Sequence, residues 1–171
     1  MRTDGSLALL FDIQKRIMQH TISPTITTFG YHDRESPRHQ SVCKALIKEG
    51  YDIIECHTEA KGLVRKYRDL WRKYREVSRH RQGYGGRAGT IVTFPGHYIM
   101  PLAWVLTRFP RRKLLFDAFI SLYDTHVCDR RHVSPWHPRA WLWYIIDFMS
   151  CHLADEVLID TEEHKKYFVK T

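Results

Sequence analysis

Short apolar runs alternate along this chain with longer segments in which apolar side chains recur every three or four residues. The short runs predict five β-strands, at residues 25–29, 51–57, 90–94, 114–116 and 156–160. The longer segments predict helices between residues 36 and 50, at 62–79, 98–109 and 138–153, and after Thr161. Continuous apolar strands that alternate with helices are typical of a parallel sheet covered on both faces. The pattern therefore predicts an α/β fold, a Rossmann-like doubly wound and mainly parallel sheet.

The first 23 residues differ from the rest of the chain. Leu7, Leu10, Phe11 and Met18 fall at helical spacing, which predicts a short amphipathic helix, and Ser23-Pro24 ends it. We therefore expect an N-terminal extension at residues 1–23, followed by one domain at residues 24–171.

Composition limits the class of protein. A chain of 171 residues with 43% hydrophobic residues has room for one ordinary globular core. Its four cysteines are spaced irregularly, which favours reduced thiols over a disulfide framework or a zinc site. No run of about 18 apolar residues predicts a membrane span, and the N-terminus does not match a signal peptide. We therefore expect a cytoplasmic protein.

The formal net charge of +8 predicts an anionic partner. Much of the positive charge lies on the predicted helix at 62–79, whose apolar positions, from Leu63 and Val64 to Trp71 and Val77, are expected to pack on the sheet. Its basic face is either a solvated surface or a surface for anionic phospholipid. Nucleic acid is disfavoured, because no nucleic-acid-binding motif is present. The expected membrane-facing residues are Arg65, Arg68, Arg72 and Lys73.

Ligands bind parallel sheets beyond the carboxyl ends of the strands, so the loops that follow the strands are the candidate sites. The loop after the first strand has the single glycine Gly30, which argues against a G-x-G-x-x-G dinucleotide site, and no phosphate-binding P-loop motif is present. The same loop carries His32, Asp33, Arg34 and Arg38. These side chains either hold an anionic or hydroxylated ligand near a helix N-terminus or form an ordinary charged loop.

Two further loops carry candidate chemistry. His97, in the sequence FPGH, either donates a hydrogen bond to a ligand or caps the next helix. After the fourth strand, Asp117 or Asp124 is a candidate general base, and His126 is placed to share that role. A metal site is disfavoured there, because the spacing of Asp117, Asp124, His126 and Asp129 matches no common template.

Four segments together resemble a known family, and the resemblance covers about residues 25–171. The segments are FGYHDRESPRHQSVCKALIKEGYDIIECH, TIVTFPGHYIMPLAWVL, KLLFDAFISLYDTHVCDRRHVSP and LADEVLIDTEEHKKYF. They resemble the N-terminal half of a family 4 glycosyltransferase, a retaining enzyme of the GT-B fold in which two Rossmann-like domains face each other across a cleft. The resemblance implies an acceptor-binding domain, a nucleotide-sugar as co-substrate, and no metal.

By this resemblance, the groups near the donor phosphate or the acceptor are Gly30, Tyr31, Arg34, Asp117 and Glu162. The catalytic candidates near the reacting centre are His97, Asp124 and His126. The family's C-terminal domain, with its Glu-x7-Glu motif, has no counterpart in the sequence, so we expect no transfer activity from this chain alone. Family acceptors include glycans, lipid-linked sugars and phospholipids, which implies a peripheral position on the inner face of the plasma membrane. The alternatives are a non-catalytic membrane- or partner-binding module and a phosphate-binding enzyme of another Rossmann-like type.

Overall fold

A computed structural model describes residues 24–80 and 89–159 of the 171-residue chain. Within these ranges five parallel strands form one sheet in the order β2-β1-β3-β4-β5. The strands are β1 (Thr25–Gly30), β2 (Asp52–His57), β3 (Gly89–Val92), β4 (Leu114–Asp117) and β5 (Glu156–Leu158). The predicted extension at 1–23 and the predicted helix after Thr161 lie outside the described residues.

Four α-helices connect the strands. They are α1 (Pro37–Lys48), α2 (Leu63–His80), α3 (Met100–Arg108) and α4 (Pro138–Leu153). A 3₁₀ turn, His97–Ile99, precedes α3, and a π-helix, Asp124–Asp129, follows β4. Right-handed crossovers place α1 on one face of the sheet and the other three helices on the opposite face, where α3 contacts both α2 and α4. The predicted Rossmann-like, doubly wound α/β fold is confirmed.

The core lies between the central strands and the three-helix face. Phe29 of β1, Val92 of β3 and Phe116 of β4 are fully buried, and Leu70 of α2 and Met100 of α3 pack against them. Burying a side chain of this size stabilises the fold by about 1.5–3 kcal/mol. These strands therefore form the rigid base from which the loops at their carboxyl ends project.

The ends of α1 follow the predicted signals, but its packing differs from the prediction. Ser36 occupies the N-cap with Pro37 directly after it, and Gly50 ends the helix at φ 85°, a conformation that favours glycine. Its apolar positions are only partly covered, since Ile47 is 60% exposed and no α1 side chain is fully buried. The physical reason is position, because α1 packs against the edge strand β2.

The apolar stripe of α2 is also less buried than predicted. Leu70 and Tyr74 are buried, whereas Val64 is 83% exposed, Leu63 50% and Trp71 41%. A helix of 18 residues is about 27 Å long, but a strand of six residues spans only about 20 Å. The first turn of α2 therefore extends past the sheet. Among the described residues, no helix is both long enough and apolar enough to cross a bilayer.

Candidate functional site

The strand order reverses between β1 and β3, which is where a doubly wound sheet is expected to have its ligand crevice. The chain leaves β1 toward one neighbour, β2, and the later crossovers run toward the opposite edge of the sheet. The loops after β1 and β3 consequently separate toward opposite faces, and ligands of doubly wound sheets bind in the crevice that this reversal leaves. Here the crevice is bordered by Gly30, Tyr31 and His32 after β1, and by Thr93 and Gly96 after β3.

Two glycines allow the backbone and side chains of these loops to meet closely. The Nδ1 atom of His32 lies 2.6 Å from Oγ1 of Thr93. A Cβ on Gly30 would lie 3.1 Å from that hydroxyl and 3.3 Å from the imidazole nitrogen. A Cβ on Gly96 would lie 2.4 Å from Cγ1 of Val92 and 2.8 Å from the Thr93 carbonyl oxygen, closer than any side chain tolerates. Glycine is therefore required at position 96, whereas a side chain at position 30 would require Thr93 or His32 to move by a few tenths of an ångström.

Three histidines and a glutamate cluster beside the crevice. The ring of His32 lies 4.0 Å from that of His39 and 5.0 Å from that of His57, measured between centroids. His57 Nε2 donates a 2.9 Å hydrogen bond to the His32 carbonyl. Oε1 of Glu55, on β2, lies 3.3 Å from His32 Nε2 and accepts a 2.7 Å bond from Arg34. We call His32, His39 and Glu55 the His-His-Glu cluster.

Burial keeps the cluster's imidazoles neutral at pH 7. The pKa of His32 is lowered from 6.5 to about 4, first by burial and then by repulsion from His39 and His57, while Glu55 acts in the opposite direction. Burial also lowers the pKa of His39. A neutral imidazole can donate one hydrogen bond and accept another, and it can bind a metal ion. The two imidazoles therefore contribute uncharged ring nitrogens to the site and no positive charge.

Asp117, predicted near the acceptor or donor phosphate, is buried and paired with α1. Arg38 Nε lies 3.0 Å from both carboxylate oxygens, and its Nη2 lies 2.5 Å from Oδ1. The Arg38 guanidinium also lies over the Phe119 ring, 4.3 Å from its centroid. This bidentate ion pair connects the N-terminal part of α1 to the carboxyl end of β4. It therefore holds the loop after β1 near the loop after β4.

His97, predicted near the reacting centre, lies inside the protein. Its Nε2 is 3.6 Å from Asp147 Oδ1, and its ring packs edge-to-face on Phe116. Among the described residues this Nε2 has no hydrogen-bond partner. Burial lowers the pKa of His97, while Asp147 opposes that shift. The ring is 1% exposed, so its contacts in this structure are with the core beneath the loop after β4.

Asp147 organises that loop and was missed by sequence reasoning. It accepts a 2.6 Å hydrogen bond from the Ser121 hydroxyl and bonds of 3.1 and 2.9 Å from the backbone N–H groups of Leu122 and Tyr123. A detectable signal was present, because Asp147 is the single acidic residue of the predominantly apolar helix α4. A buried carboxylate in such a helix requires partners, and it finds them in the loop.

The remaining catalytic candidates, Asp124 and His126, lie half-buried on the π-helix. The backbone N–H of Asp124 donates a 2.9 Å hydrogen bond to Ser121 Oγ. The His126 ring stacks on Trp143 of α4 at 4.4 Å between centroids, and its Nδ1 lies 3.5 Å from that of His132. The two candidates therefore share one short helix next to α4, whereas Asp117 pairs with α1.

Tyr31 and Arg34 flank the opening of the crevice. Lys66 of α2 places its ammonium 3.2 Å from the centre of the Tyr31 ring. Burial and the nearby Tyr98 and Tyr67 raise the pKa of Tyr31. Arg34 is exposed and pairs with Glu55. Glu162, the other predicted phosphate-site residue, lies outside the described residues.

The basic face of α2 forms a second candidate surface. An open cavity of about 480 Å³ is lined by Ala60, Arg65, Arg68, Asp69 and Arg72. A neighbouring cavity of about 430 Å³ is lined by Trp71, Arg72, Arg75, Glu76 and Arg79. Lys73, predicted to face a membrane with these arginines, instead donates a 2.7 Å hydrogen bond to the His57 carbonyl and lies 3.1 Å from Asp69. Its ammonium therefore contacts the protein, while Arg65 and Arg68 are exposed.

The carboxyl edge thus combines a glycine-bordered crevice, neutral imidazoles and an exposed arginine, which suit a ligand that carries hydroxyl and phosphate groups. The basic face of α2 lies at the other side of Tyr31 and is suited to an extended anionic surface. Comparisons with protein-family models, with curated proteins and with solved structures found no match to this chain.

Proposed function

We propose that this chain is the acceptor-binding domain of a retaining glycosyltransferase. It transfers a sugar from a nucleotide-sugar to a glycan or lipid-linked acceptor, together with a donor-binding domain supplied in cis or in trans. The observation that carries the proposal is the meeting of the loops after β1, β3 and β4 at one edge of the sheet. These are the segments whose sequences resemble the family, and the contacts His32–Thr93 and Arg38–Asp117 join them.

In this proposal the crevice between β1 and β3 holds the junction between acceptor and donor phosphate. Arg34 and the backbone N–H groups that follow Gly30 donate hydrogen bonds to phosphate oxygens. The π-helix supplies Asp124 and His126 beside the acceptor hydroxyl. Transfer then proceeds through a transition state of oxocarbenium character, and fixed hydrogen-bond donors stabilise the departing diphosphate. His97 is buried beneath the site and does not contact the ligand in this proposal; it supports the loop that leads to Asp124 and His126.

Binding to the chain itself tests where the ligand lies. The ¹⁵N-labelled chain would be titrated with uridine- and guanosine-diphosphate sugars and with a short polyprenyl phosphate as a lipid-phosphate probe. We expect at least one probe to shift the amide signals of Gly30, Tyr31 and Gly96, and the Gly30→Val variant to lose those shifts. The matched control is Gly89→Ala, because a Cβ at Gly89 meets only ordinary contacts at 3.6 and 3.8 Å. The site assignment is wrong if all shifts map to α2 or if Gly30→Val leaves them unchanged.

A second candidate function is a module that docks on anionic phospholipid, without catalysis. The observation in its favour is the exposure of Val64 and Trp71 on the same helix as Arg65 and Arg68. Apolar side chains next to basic ones are typical of helices that lie in a membrane interface. The two functions are compatible, since an acceptor held in a membrane would be reached from a cytoplasmic surface that binds lipid headgroups. Sedimentation with anionic and with neutral vesicles tests this function. Preferential binding to anionic vesicles supports it, and no binding or equal binding to both contradicts it.

A further inference from the structure

We infer that His32, His39 and Glu55 form a binding site for a divalent transition-metal ion, and that Zn²⁺ is the ion it takes. One ligand atom from each residue lies within 4.8 Å of the other two. Two imidazole nitrogens and one carboxylate oxygen are a common zinc donor set that leaves a coordination position open, whereas Mg²⁺ and Ca²⁺ prefer oxygen ligands. The inference is independent of the proposed glycosyltransferase function.

The three ligands come from separate elements, so the fold brings them together. His32 follows β1, His39 lies in the first turn of α1, and Glu55 belongs to β2, which pairs with β1. β1 and β2 are hydrogen-bonded along their whole length, and the Arg38–Asp117 pair holds the beginning of α1. The cluster therefore rests on regular structure, which suits a site that must keep its geometry.

A partner outside the cluster orients the first ligand. His32 Nδ1 lies 2.6 Å from the Thr93 hydroxyl, while its Nε2 faces Glu55 Oε1 at 3.3 Å. If Nδ1–H donates to Thr93, then Nε2 directs its lone pair at a carboxylate oxygen, and the two acceptors repel unless a cation lies between them. Metal-binding histidines commonly donate their second ring nitrogen in this way, which fixes the tautomer and the ring orientation.

The second ligand has an unsatisfied nitrogen. His39 Nδ1 is buried and has no hydrogen-bond partner among the described residues, and its Nε2 lies 3.5 Å from Cys43 Sγ. A buried nitrogen left without a partner costs about 1–3 kcal/mol, and a metal bond would remove that cost.

Arg34 competes with the ion for the third ligand. Its Nε lies 2.7 Å from Glu55 Oε1, and its side chain is 55% exposed, so it can move into solvent when a metal takes the carboxylate. Replacing a neighbouring arginine by an uncharged residue, Arg34→Gln, should tighten metal binding, because the carboxylate loses its competing partner.

The test is zinc affinity of the purified full chain, stripped with a chelator and titrated against a chromophoric competitor. We expect Glu55→Gln and His39→Gln to weaken binding at least about tenfold, Thr93→Val to weaken it by about tenfold to 100-fold, and Arg34→Gln to strengthen it. The matched control is His132→Gln, which changes an exposed histidine outside the cluster whose Nδ1 lies 3.5 Å from Nδ1 of His126. Circular dichroism of each variant separates a lost site from a lost fold.

Three results would overturn the inference. The first is absence of zinc binding by the folded wild-type chain. The second is binding that survives His39→Gln and Glu55→Gln but is lost in His132→Gln, which would assign the zinc to His126 and His132. The third is equal affinity in wild type and in all four variants, Glu55→Gln, His39→Gln, Thr93→Val and Arg34→Gln. Co²⁺ gives an independent readout, because visible absorption bands that disappear in His39→Gln, with the far-ultraviolet spectrum unchanged, report coordination directly.

Discussion

His32 Nδ1 lies 2.6 Å from Thr93 Oγ1, and this contact joins the loops after β1 and β3 at the point where the strand order reverses. Both residues are buried, so the contact is held in a region of low dielectric, where a hydrogen bond is electrostatically stronger than in water. It fixes one border of the crevice in which a doubly wound sheet binds its ligand.

Replacing Gly96 by alanine should destabilise the protein. The new Cβ would lie 2.4 Å from Val92 Cγ1 and 2.8 Å from a backbone oxygen, so the turn after β3 must shift. Overpacking of this kind costs about 1–3 kcal/mol. Urea denaturation measures the effect, with Gly89→Ala as the control that meets no contact closer than 3.6 Å. Equal stability of Gly96→Ala and wild type would contradict the described turn.

Asp147 should be more important for stability than an exposed carboxylate. Asp147→Ala leaves the Ser121 hydroxyl and two backbone N–H groups without their acceptor. We expect a loss of about 3 kcal/mol or more in the free energy of unfolding, since each buried unsatisfied donor costs about 1–3 kcal/mol. Asp147→Asn keeps part of this network and should lose less, and the exposed Asp129→Ala should change little. A ranking in which Asp129→Ala is the more damaging variant would refute this role.

Stability should fall as the pH is lowered from about 6.5 toward 4. In the unfolded chain His32 binds a proton near its ordinary pKa of 6.5, whereas in the folded protein its pKa is about 4. Between these values the unfolded state holds the extra proton, so protonation favours unfolding, and the loss from this residue reaches about 3 kcal/mol near pH 4.

NMR titration of the His32 ring, with a chelator present to remove metal ions, measures the pKa directly. Thermal unfolding of His32→Gln across the same pH range should show a shallower pH dependence than wild type. A His32 pKa near 6.5, or unchanged pH dependence in the variant, would contradict the described burial and its neighbouring imidazoles.

The fold was readable from the sequence because its signals are local. The run 114–116 is apolar without alternation, which strands show when both faces are covered, and 25–29 is rich in the β-formers Thr, Ile and Phe. Pro37 and Gly50 mark the ends of α1. The apolar pattern did not predict how deeply each helix side chain is buried. Ile47 and Val64 occupy apolar positions of their helices yet face solvent, because burial depends on the size and edge of the sheet beneath them.

The site was only partly readable, because its contacts join residues that are far apart in the chain. Arg38 meets Asp117 across 79 positions, and His32 meets Thr93 across 61. Sequence reasoning singled out His32, Arg38 and Asp117 but did not pair them with their partners, and it did not single out Glu55 or Asp147. Such pairs follow from strand order, which spacing along the chain does not specify.

Vesicle binding should depend on the exposed arginines of α2. Each basic residue near an anionic membrane contributes about 1 kcal/mol, so Arg65→Gln and Arg68→Gln should each weaken binding to phosphatidylserine vesicles about fivefold. Lys44→Gln, an exposed residue of α1 on the opposite face of the sheet, is the matched control. Sedimentation at low and high salt measures the effect. Equal binding to neutral and anionic vesicles, or equal loss in Lys44→Gln, would count against this surface.

Sugar transfer by a reconstituted two-domain protein tests the central claim most directly. The chain would be joined after Thr171 to a donor-binding domain of a family 4 glycosyltransferase, and nucleoside diphosphate release would be measured with a panel of nucleotide-sugars and of glycan and lipid-linked acceptors. Asp124→Asn changes one charge at nearly constant shape, and Lys44→Gln is the control. The proposal predicts acceptor-dependent release that Asp124→Asn lowers by about 100-fold and Lys44→Gln leaves unchanged. Release that is absent from the folded fusion across the whole panel, or that is equal in Asp124→Asn and wild type, would contradict it.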